Sequence, residues 1–323
     1  MKVAVVDLGT NTCRLFLARV EDGRVLQDAR VTTVVRLGQG VDQTGRLRPD
    51  AVARTRACLA GYAPRVEAYG PARRLLIATS VLRDAEDGGA FLSAAEGDFA
   101  LPWRVLAGEE EGGLAFRGGT SWLAAGGGAA GSGGSGLAPD PLLLVDIGGG
   151  STEFAVGSAG EPPAFVRSLD VGVVRLTERF FHADPPPAAE VAALSDHVAA
   201  AIEAAVPAGL RAAVSGMVGV AGTYTTLVAN KLGMTEYDAA LVQGHVLSLT
   251  DIDAAIARFA GMSSAERGRL PGIQPGREDV ILAGALIARE ACRAFGLGAA
   301  SVSEADLLEG AALALADGSL EPA

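Results

Sequence analysis

Two segments of one kind, Asp7–Thr12 and Asp146–Ser151, constrain the fold of this chain more than any other feature. Each joins an apolar run, Val3–Val6 or Leu142–Val145, to an alternating segment that is typical of a β-hairpin. Each is rich in glycine and hydroxyl side chains, which indicates a tight turn at the end of a buried strand. The pattern predicts an α/β chain whose two halves begin alike, and 323 residues exceed the size at which one core keeps growing.

A glycine-rich stretch separates the two predicted domains. Residues 125–138 consist almost entirely of Gly, Ala and Ser, a composition that buries little surface and favours a flexible loop. We therefore predict an N-terminal domain over 1–124 and a C-terminal domain over 139–323. Apolar spacing predicts helices over 114–124 and 307–315, and the sequence leaves open whether the last helix packs back onto the first domain.

Composition and charge exclude several classes of protein. The formal net charge of −11 argues against a basic face for nucleic acid or anionic lipid. No apolar run reaches the ~20 residues of a membrane helix. Cys13, Cys58 and Cys292 form no CxxC pair and are too few for a disulfide framework. We therefore expect a soluble, cytoplasmic protein that binds neither nucleic acid nor membrane.

The two glycine turns have the composition of anion-binding sites. A strand that runs into such a turn can present several backbone N–H groups in one direction, and phosphate oxygens fit that concave surface. Hydroxyl side chains add further donors, while Asp7 and Asp146 at the strand ends can hold Mg²⁺ or Mn²⁺ as oxygen ligands. A purely structural hairpin connection is the alternative for either turn alone. The predicted phosphate-binding residues of the turns are Gly9, Thr10, Asn11, Thr12, Gly148, Gly149, Gly150, Ser151 and Thr152.

Seven ordered motifs resemble those of one family. They lie at residues 7–14, 78–85, 108–111, 146–153, 168–178, 219–226 and 275–277. Together they span nearly the whole chain, which is similar to the exopolyphosphatase and guanosine pentaphosphate phosphohydrolase (Ppx/GppA) family of the actin and sugar-kinase superfamily. The resemblance implies two actin-like (ribonuclease H-like) α/β domains with an interdomain active-site cleft. It also implies inorganic polyphosphate or guanosine pentaphosphate as the substrate, and a homodimer.

The resemblance also implies roles for individual residues. Glu111 matches the glutamate that serves as catalytic base, with Glu110 as the alternative. Arg83 matches an arginine that binds phosphate oxygens, and Glu153 an acidic residue that places metal or water, together with Asp7 and Asp146. Arg14, Gly222 and Thr223 are further candidate phosphate-binding residues. Gly222 and Thr223 lie in a segment that contacts adenosine in nucleotide-binding relatives of the superfamily, and in a phosphatase this turn can bind part of the phosphate chain or serve packing alone. Arg175 and Arg277 are candidates to add positive charge to a substrate channel, with surface groups as the alternative. Without the resemblance, residues 109–111 would indicate an acidic helix N-terminus, and Arg83 a surface ion pair.

The sequence favours one reaction and leaves rivals open. We expect an exopolyphosphatase that releases terminal orthophosphate by attack of an activated water with Mg²⁺. The alternatives are conversion of guanosine pentaphosphate to the tetraphosphate, a non-catalytic sensor of polyphosphate or alarmone, and an ATP-dependent kinase of the same superfamily. Cys13 has no neighbouring histidine that would make it a nucleophile, and His182, His197 and His245 lack metal-ligand spacing.

Overall fold

The computed structural model describes residues 1–124 and 140–323, so the predicted loop at 125–138 lies outside the described residues. The chain divides into two compact units. The first comprises Met1–Leu114 with Leu307–Ala323, and the second comprises Ala115–Asp306. Along the chain the division thus falls within a helix, before Ala115, whereas the sequence predicts it in the glycine-rich stretch.

The first unit is built on a five-stranded sheet in the order β3-β2-β1-β4-β5. Its elements up to the division are β1 (Lys2–Leu8), β2 (Thr12–Glu21), β3 (Arg24–Val34), α1 (Val41–Thr44), α2 (Pro49–Tyr69), β4 (Arg73–Ala78), α3 (Ser80–Asp84), α4 (Gly88–Phe99), β5 (Trp103–Val105) and α5 (Gly108–Gly119), which continues into the second unit. Strands β1 to β3 form an antiparallel meander, whereas β4 and β5 run parallel to β1. The carboxyl ends of these three parallel strands therefore lie at one edge of the sheet, where α/β proteins bind ligands.

The second unit repeats this arrangement in a six-stranded sheet of order β10-β11-β9-β6-β7-β8. Its elements are α6 (Ser121–Ala124), β6 (Leu142–Ile147), β7 (Thr152–Gly157), β8 (Phe165–Leu169), α7 (Val173–Phe180), α8 (Ala188–Ala205), α9 (Ala208–Ala213), β9 (Gly216–Val220), α10 (Ala221–Lys231), α11 (Ala239–Val242), β10 (Val246–Ser248), α12 (Leu249–Ala260), α13 (Ser264–Arg267), α14 (Ile281–Ala294) and β11 (Ala299–Val302). Strands β6 to β8 again form an antiparallel meander, and β9 and β11 are parallel to β6. Helix α14 is buried along most of its length and packs against α7, α8, α10 and α12.

The last helix, α15 (Leu307–Asp317), belongs to the first unit and packs on strands β1 to β4. Glu309 of this helix forms an ion pair with Arg30 of β3, and Arg73 donates a hydrogen bond to the Leu315 carbonyl oxygen at 3.0 Å. A long-range return of this kind leaves no local pattern in the sequence, so the sequence alone does not predict where the last helix packs.

Helix α5 begins six residues before its predicted start, at Gly108 instead of 114. The first turns contain glycine and glutamate with little apolar periodicity, so the pattern that predicts a helix is absent there. Glu109, Glu110 and Glu111 occupy the first turn, where negative charge interacts favourably with the helix dipole. Among the described residues, no helix is both long and apolar enough to cross a lipid bilayer.

A substitution at Gly310 tests the packing of α15 against α5. This glycine is buried, and a β-carbon added to it would overlap the backbone carbonyl of Leu114. We expect Gly310→Ala to lower the free energy of unfolding by about 2 kcal/mol, as overpacking of a filled core does. Gly113→Ala is the matched control, because a β-carbon there meets nothing within 4 Å, and we expect it to stabilise the helix by roughly 0.5–1 kcal/mol. Urea unfolding measures both, and equal stabilities for the two variants would contradict the described packing.

Candidate functional site

The first glycine turn, which follows β1, is closed by a hydrogen bond from the Gly9 N–H to the Thr12 carbonyl oxygen at 3.0 Å. Two further carbonyls of the turn accept hydrogen bonds from the segment after β3. Thr10 accepts from the Gly38 N–H at 2.9 Å, and Asn11 accepts from two successive backbone N–H groups at 3.0 and 2.9 Å. A β-carbon on Gly38 would overlap the Thr10 side chain, so the close approach at this point requires glycine.

The second turn, which follows β6, is closed in the same way, with the Gly148 N–H donating to the Ser151 carbonyl oxygen at 3.0 Å. Its carbonyls are held by the start of α7. The first amides of that helix donate to Gly148 at 3.0 Å and to Gly149 at 2.8 Å, and Arg175 Nε donates to the Gly150 carbonyl at 2.9 Å. Most carbonyl oxygens of each turn are therefore occupied by hydrogen bonds from within the same unit.

Several donors of the two turns have no acceptor among the described residues. These are the backbone N–H groups of Thr10, Asn11, Gly149, Gly150 and Ser151. The Nδ2 group of the buried Asn11 side chain likewise donates to no described residue. Four of these five residues are buried and Gly149 is half-buried. Amides without acceptors in such surroundings are costly unless a ligand or water satisfies them, so both turns have the properties of an anion site.

The hydroxyl groups of the turns differ in what they contact. Thr10 Oγ1 shares a hydrogen bond of 3.1 Å with Ser80 Oγ, and both residues are buried. The Thr152 hydroxyl donates to the Val171 carbonyl oxygen at 2.7 Å, and this bond holds the segment that leads into α7. Ser80 is absent from the residues predicted from sequence, although the Thr-Ser pair that opens α3 was a visible signal.

Asp7 and Asp146 occupy equivalent strand positions but have different partners. Asp7 lies opposite Arg14 across β1 and β2, and Arg14 Nε donates to Asp7 Oδ2 at 2.7 Å in a largely buried ion pair. Arg14, which the family resemblance gives to phosphate, is thus bound to the aspartate of its own turn. The charge of the Asp7 carboxylate is balanced within the first unit.

In the second unit Asp146 lies opposite another acid, Glu153, across β6 and β7. Both side chains are buried, and Glu153 accepts a hydrogen bond from the Ser168 hydroxyl at 2.7 Å. Like charges at directly opposed positions destabilise a sheet, whereas a divalent cation between two carboxylates would stabilise it. Although the described part of the chain contains no cluster of three or more His, Cys, Asp or Glu, Mg²⁺ commonly takes only one or two protein carboxylates and completes its shell with water and phosphate. The pair therefore fits such a cation.

The three glutamates of α5 have three different environments. Glu109 is exposed, Glu110 forms an ion pair with Arg104 at 2.9 Å, and Glu111 is buried with 7% of its surface accessible. Glu111 Oε2 lies 3.9 Å from Nη1 of Arg83, and the same Nη1 donates to the Leu106 carbonyl oxygen at 2.8 Å. The structure therefore places the predicted base and the predicted arginine together, beyond the carboxyl ends of β4 and β5.

Gly222 and Thr223 lie in the first turn of α10, directly after β9. The guanidinium group of Arg277 packs on Gly222 so closely that a β-carbon there would overlap it, and Arg277 Nε donates to Gln274 Oε1 at 3.1 Å. The structure thus brings a positive charge to the N-terminus of α10, where the helix dipole also favours an anion.

Comparison with known proteins gives consistent results. Residues 17–317 match the model of the Ppx/GppA phosphatase family. Exopolyphosphatase 2 of Mycobacterium tuberculosis (strain H37Rv) is 39% identical over 328 residues, which cover 98% of each chain. A crystal structure of an exopolyphosphatase-like protein superposes with a TM-score of 0.86 at 32% identity over 99% of this chain and 100% of the other. The Ppx/GppA family member of Aquifex aeolicus gives a TM-score of 0.79 at 28% identity over 99% of each chain. The predicted fold, two actin-like α/β domains, is thereby confirmed.

A substitution at Gly172 tests whether phosphate binding depends on the backbone path of the second turn. A β-carbon on this residue would overlap the backbone of Gly149 and Gly150, although its φ of −92° suits alanine. We expect Gly172→Ala to weaken the binding of tripolyphosphate at least about 10-fold, the scale of one lost hydrogen bond to a charged group. Gly209→Ala, where a β-carbon meets nothing within 4 Å, is the control. Isothermal titration calorimetry measures both affinities. An unchanged affinity in the Gly172 variant would show that the second turn does not bind phosphate.

Proposed function

We propose that this chain, which belongs to the Ppx/GppA phosphatase family, is an exopolyphosphatase that releases terminal orthophosphate from inorganic polyphosphate. The observation that carries the assignment is the buried Glu111 carboxylate beside Arg83. Hydrolysis requires a base that takes a proton from water and a cation that offsets charge on the transferred phosphoryl group. These two residues supply both functions.

The proposed mechanism assigns one task to each group. The spare amides of each glycine turn are donors for nonbridging phosphate oxygens, and such fixed contacts position a phosphate for in-line attack. Glu111 accepts a proton from the attacking water as its oxygen bonds to the terminal phosphorus, and the bridging oxygen leaves with the shortened chain. Arg83 stabilises the negative charge on the phosphoryl oxygens, and its bond to the Leu106 carbonyl fixes the position of the guanidinium group.

Members of this family generally depend on a divalent metal, and we propose Mg²⁺ or Mn²⁺ for this chain. Asp146 and Glu153 would hold the ion, since their opposed carboxylates form the acidic pair that fits it best. Once bound, the cation would neutralise charge on the phosphate chain. Asp7 is proposed only as a secondary ligand of the ion, because Arg14 already balances the charge of its carboxylate.

Guanosine pentaphosphate is the alternative substrate, since the family also includes phosphohydrolases of this alarmone. It presents the same terminal phosphates to Glu111, so the proposed chemistry would be unchanged. The Arg277 guanidinium at the start of α10 is the feature that could contact additional phosphates of either substrate. The cytoplasmic location and the homodimer stay predictions from the sequence.

Glu111→Gln tests the assignment of the base. The amide keeps the size of the side chain but accepts no proton, so we expect turnover to fall at least about 100-fold while substrate binding is largely kept. Glu110→Gln is the matched control on the adjacent residue, whose carboxylate pairs with Arg104, and it should retain near-normal turnover. The assay measures orthophosphate released from short polyphosphate, long polyphosphate, guanosine pentaphosphate and ATP with Mg²⁺.

The outcomes separate the rival functions. Release from polyphosphate supports the proposal, whereas release confined to guanosine pentaphosphate would favour the alternative substrate. No release from any of the four compounds by the wild type would refute the enzyme assignment and favour a sensor. A larger loss in Glu110→Gln than in Glu111→Gln would move the base to Glu110.

Glu153→Gln tests the metal site without an activity assay. In the absence of metal the substitution removes like-charge repulsion with Asp146, so we expect the melting temperature to stay equal or rise. Millimolar MgCl₂ or MnCl₂ should raise the melting temperature of the wild type by mass action, and this increase should be lost in the variant. Glu161→Gln, an exposed position of the same unit, is the control. An equal rise in melting temperature with metal in all three proteins would show that the ion binds elsewhere.

A further inference from the structure

Cys13 and Cys58 are two cysteines of the first unit that the proposed reaction does not use. Cys13 lies in β2 directly after Thr12, the last residue of the first glycine turn. Its side chain is fully buried in the core of the unit, against which Cys58 of α2 packs from a half-buried position.

Neighbouring groups bring the two thiols together. Tyr62, one helical turn after Cys58, shares a hydrogen bond of 2.8 Å with Thr33 Oγ1 and donates to the Cys13 carbonyl oxygen at 3.1 Å. Thr33 lies opposite Cys13 in the pairing of β2 and β3. Cys58 packs against the core cluster that contains both Cys13 and Tyr62, from the helical turn of α2 that precedes Tyr62. The two cysteines therefore lie near each other across the interface between strand and helix.

The two thiols have unequal chemistry. The hydrogen bond from Cys13, with smaller contributions from Thr33 and Tyr62, lowers the pKa of Cys58, and partial burial opposes this effect. The same hydrogen bond and full burial raise the pKa of Cys13. A partly exposed thiolate beside a protonated, buried thiol is the arrangement found in oxidisable cysteine pairs. Cys292, in contrast, is buried in α14, where burial raises its pKa to about 12.

We propose that Cys13 and Cys58 form a reversible disulfide, an oxidation site of the first unit directly beside its phosphate-binding turn. The Cys58 thiolate attacks a hydroperoxide, its sulfur takes one oxygen to become the sulfenic acid, and hydroxide or alkoxide leaves. The Cys13 thiol then attacks the Cys58 sulfur, a sulfur–sulfur bond forms, and the oxygen leaves as water. A dithiol reductant reverses the step by thiol–disulfide exchange.

The position of Cys13 links this disulfide to the turn. Cys13 pairs with Leu8 across β1 and β2, so these two residues flank the Gly9 to Thr12 turn. A covalent bond to α2 would fix the Cys13 side chain and so constrain the strand to which the turn is attached. The coupling to phosphate release rests on the proposed function, whereas the disulfide itself does not.

Peptide mapping after mild oxidation tests the proposal. The full chain is treated with hydrogen peroxide at neutral pH, alkylated, digested without reductant and analysed by mass spectrometry. We expect a peptide containing Cys13 joined to one containing Cys58, with the loss of two hydrogen atoms and reversal by dithiothreitol. Cys58→Ser and Cys13→Ala should each abolish the link, and Cys292→Ser, the matched control, should leave it unchanged. If the buried Cys13 variant fails to fold, the Cys58 variant alone decides.

Orthophosphate release from polyphosphate supplies the second readout. Oxidised wild type should lose activity about 10-fold or more, as small displacements of a binding group do, and dithiothreitol should restore it, whereas peroxide should not affect Cys58→Ser. Absence of the Cys13–Cys58 link would overturn the proposal, and a formed link with unchanged release would overturn its coupling to the turn. Reduced protein that releases no phosphate would instead refute the proposed function, and the peptide map would still decide the disulfide.

Discussion

Both candidate anion sites depend on the hydrogen bonds that hold the carbonyl oxygens of the glycine turns. In the first unit these bonds come from the segment after β3, and in the second from the first turn of α7. With the carbonyls occupied, the amides of Thr10, Asn11, Gly149 and Gly150 are left without a described acceptor. The elements that hold the carbonyl oxygens differ between the two units, but spare amides are present in the turn of each unit. Phosphate oxygens satisfy such donors at low cost because the donors are already positioned.

The equivalent aspartates have different partners in the two units. Asp7 forms an ion pair with Arg14 of its own hairpin, whereas Asp146 lies opposite another acid, Glu153. The first unit also carries Glu111 and Arg83, the groups proposed for proton transfer and charge stabilisation. One unit is thus suited to activating water and the other to holding a cation. The proposed cation site follows from the acidic residue at a hairpin position where the first unit has a basic one.

Strand periodicity and glycine turns are local signals, and they predicted the turns and the hairpins. The actin-like fold and the choice of Glu111 as candidate base, with Glu110 as the alternative, came instead from the family resemblance. In the structure Glu111 is the buried one of the three glutamates. The sequence did not predict the early start of α5, whose glycine and glutamate residues lack apolar spacing. The amides of α7 that hold the second turn could not be predicted either, since backbone donors leave no residue pattern. The Thr-Ser pair is visible in the sequence, but its contact with Thr10 joins residues far apart in the chain, so the sequence does not place Ser80 at the turn.

Titration of ¹⁵N-labelled protein with tripolyphosphate would test the central claim, that the spare amides of both turns bind phosphate. The amide resonances of Thr10, Asn11, Gly149, Gly150 and Ser151 should shift together and saturate. Those of Gly9 and Gly148, whose N–H groups close the turns internally, should shift less. Saturable shifts confined to other regions, with these five amides unmoved, would contradict the account.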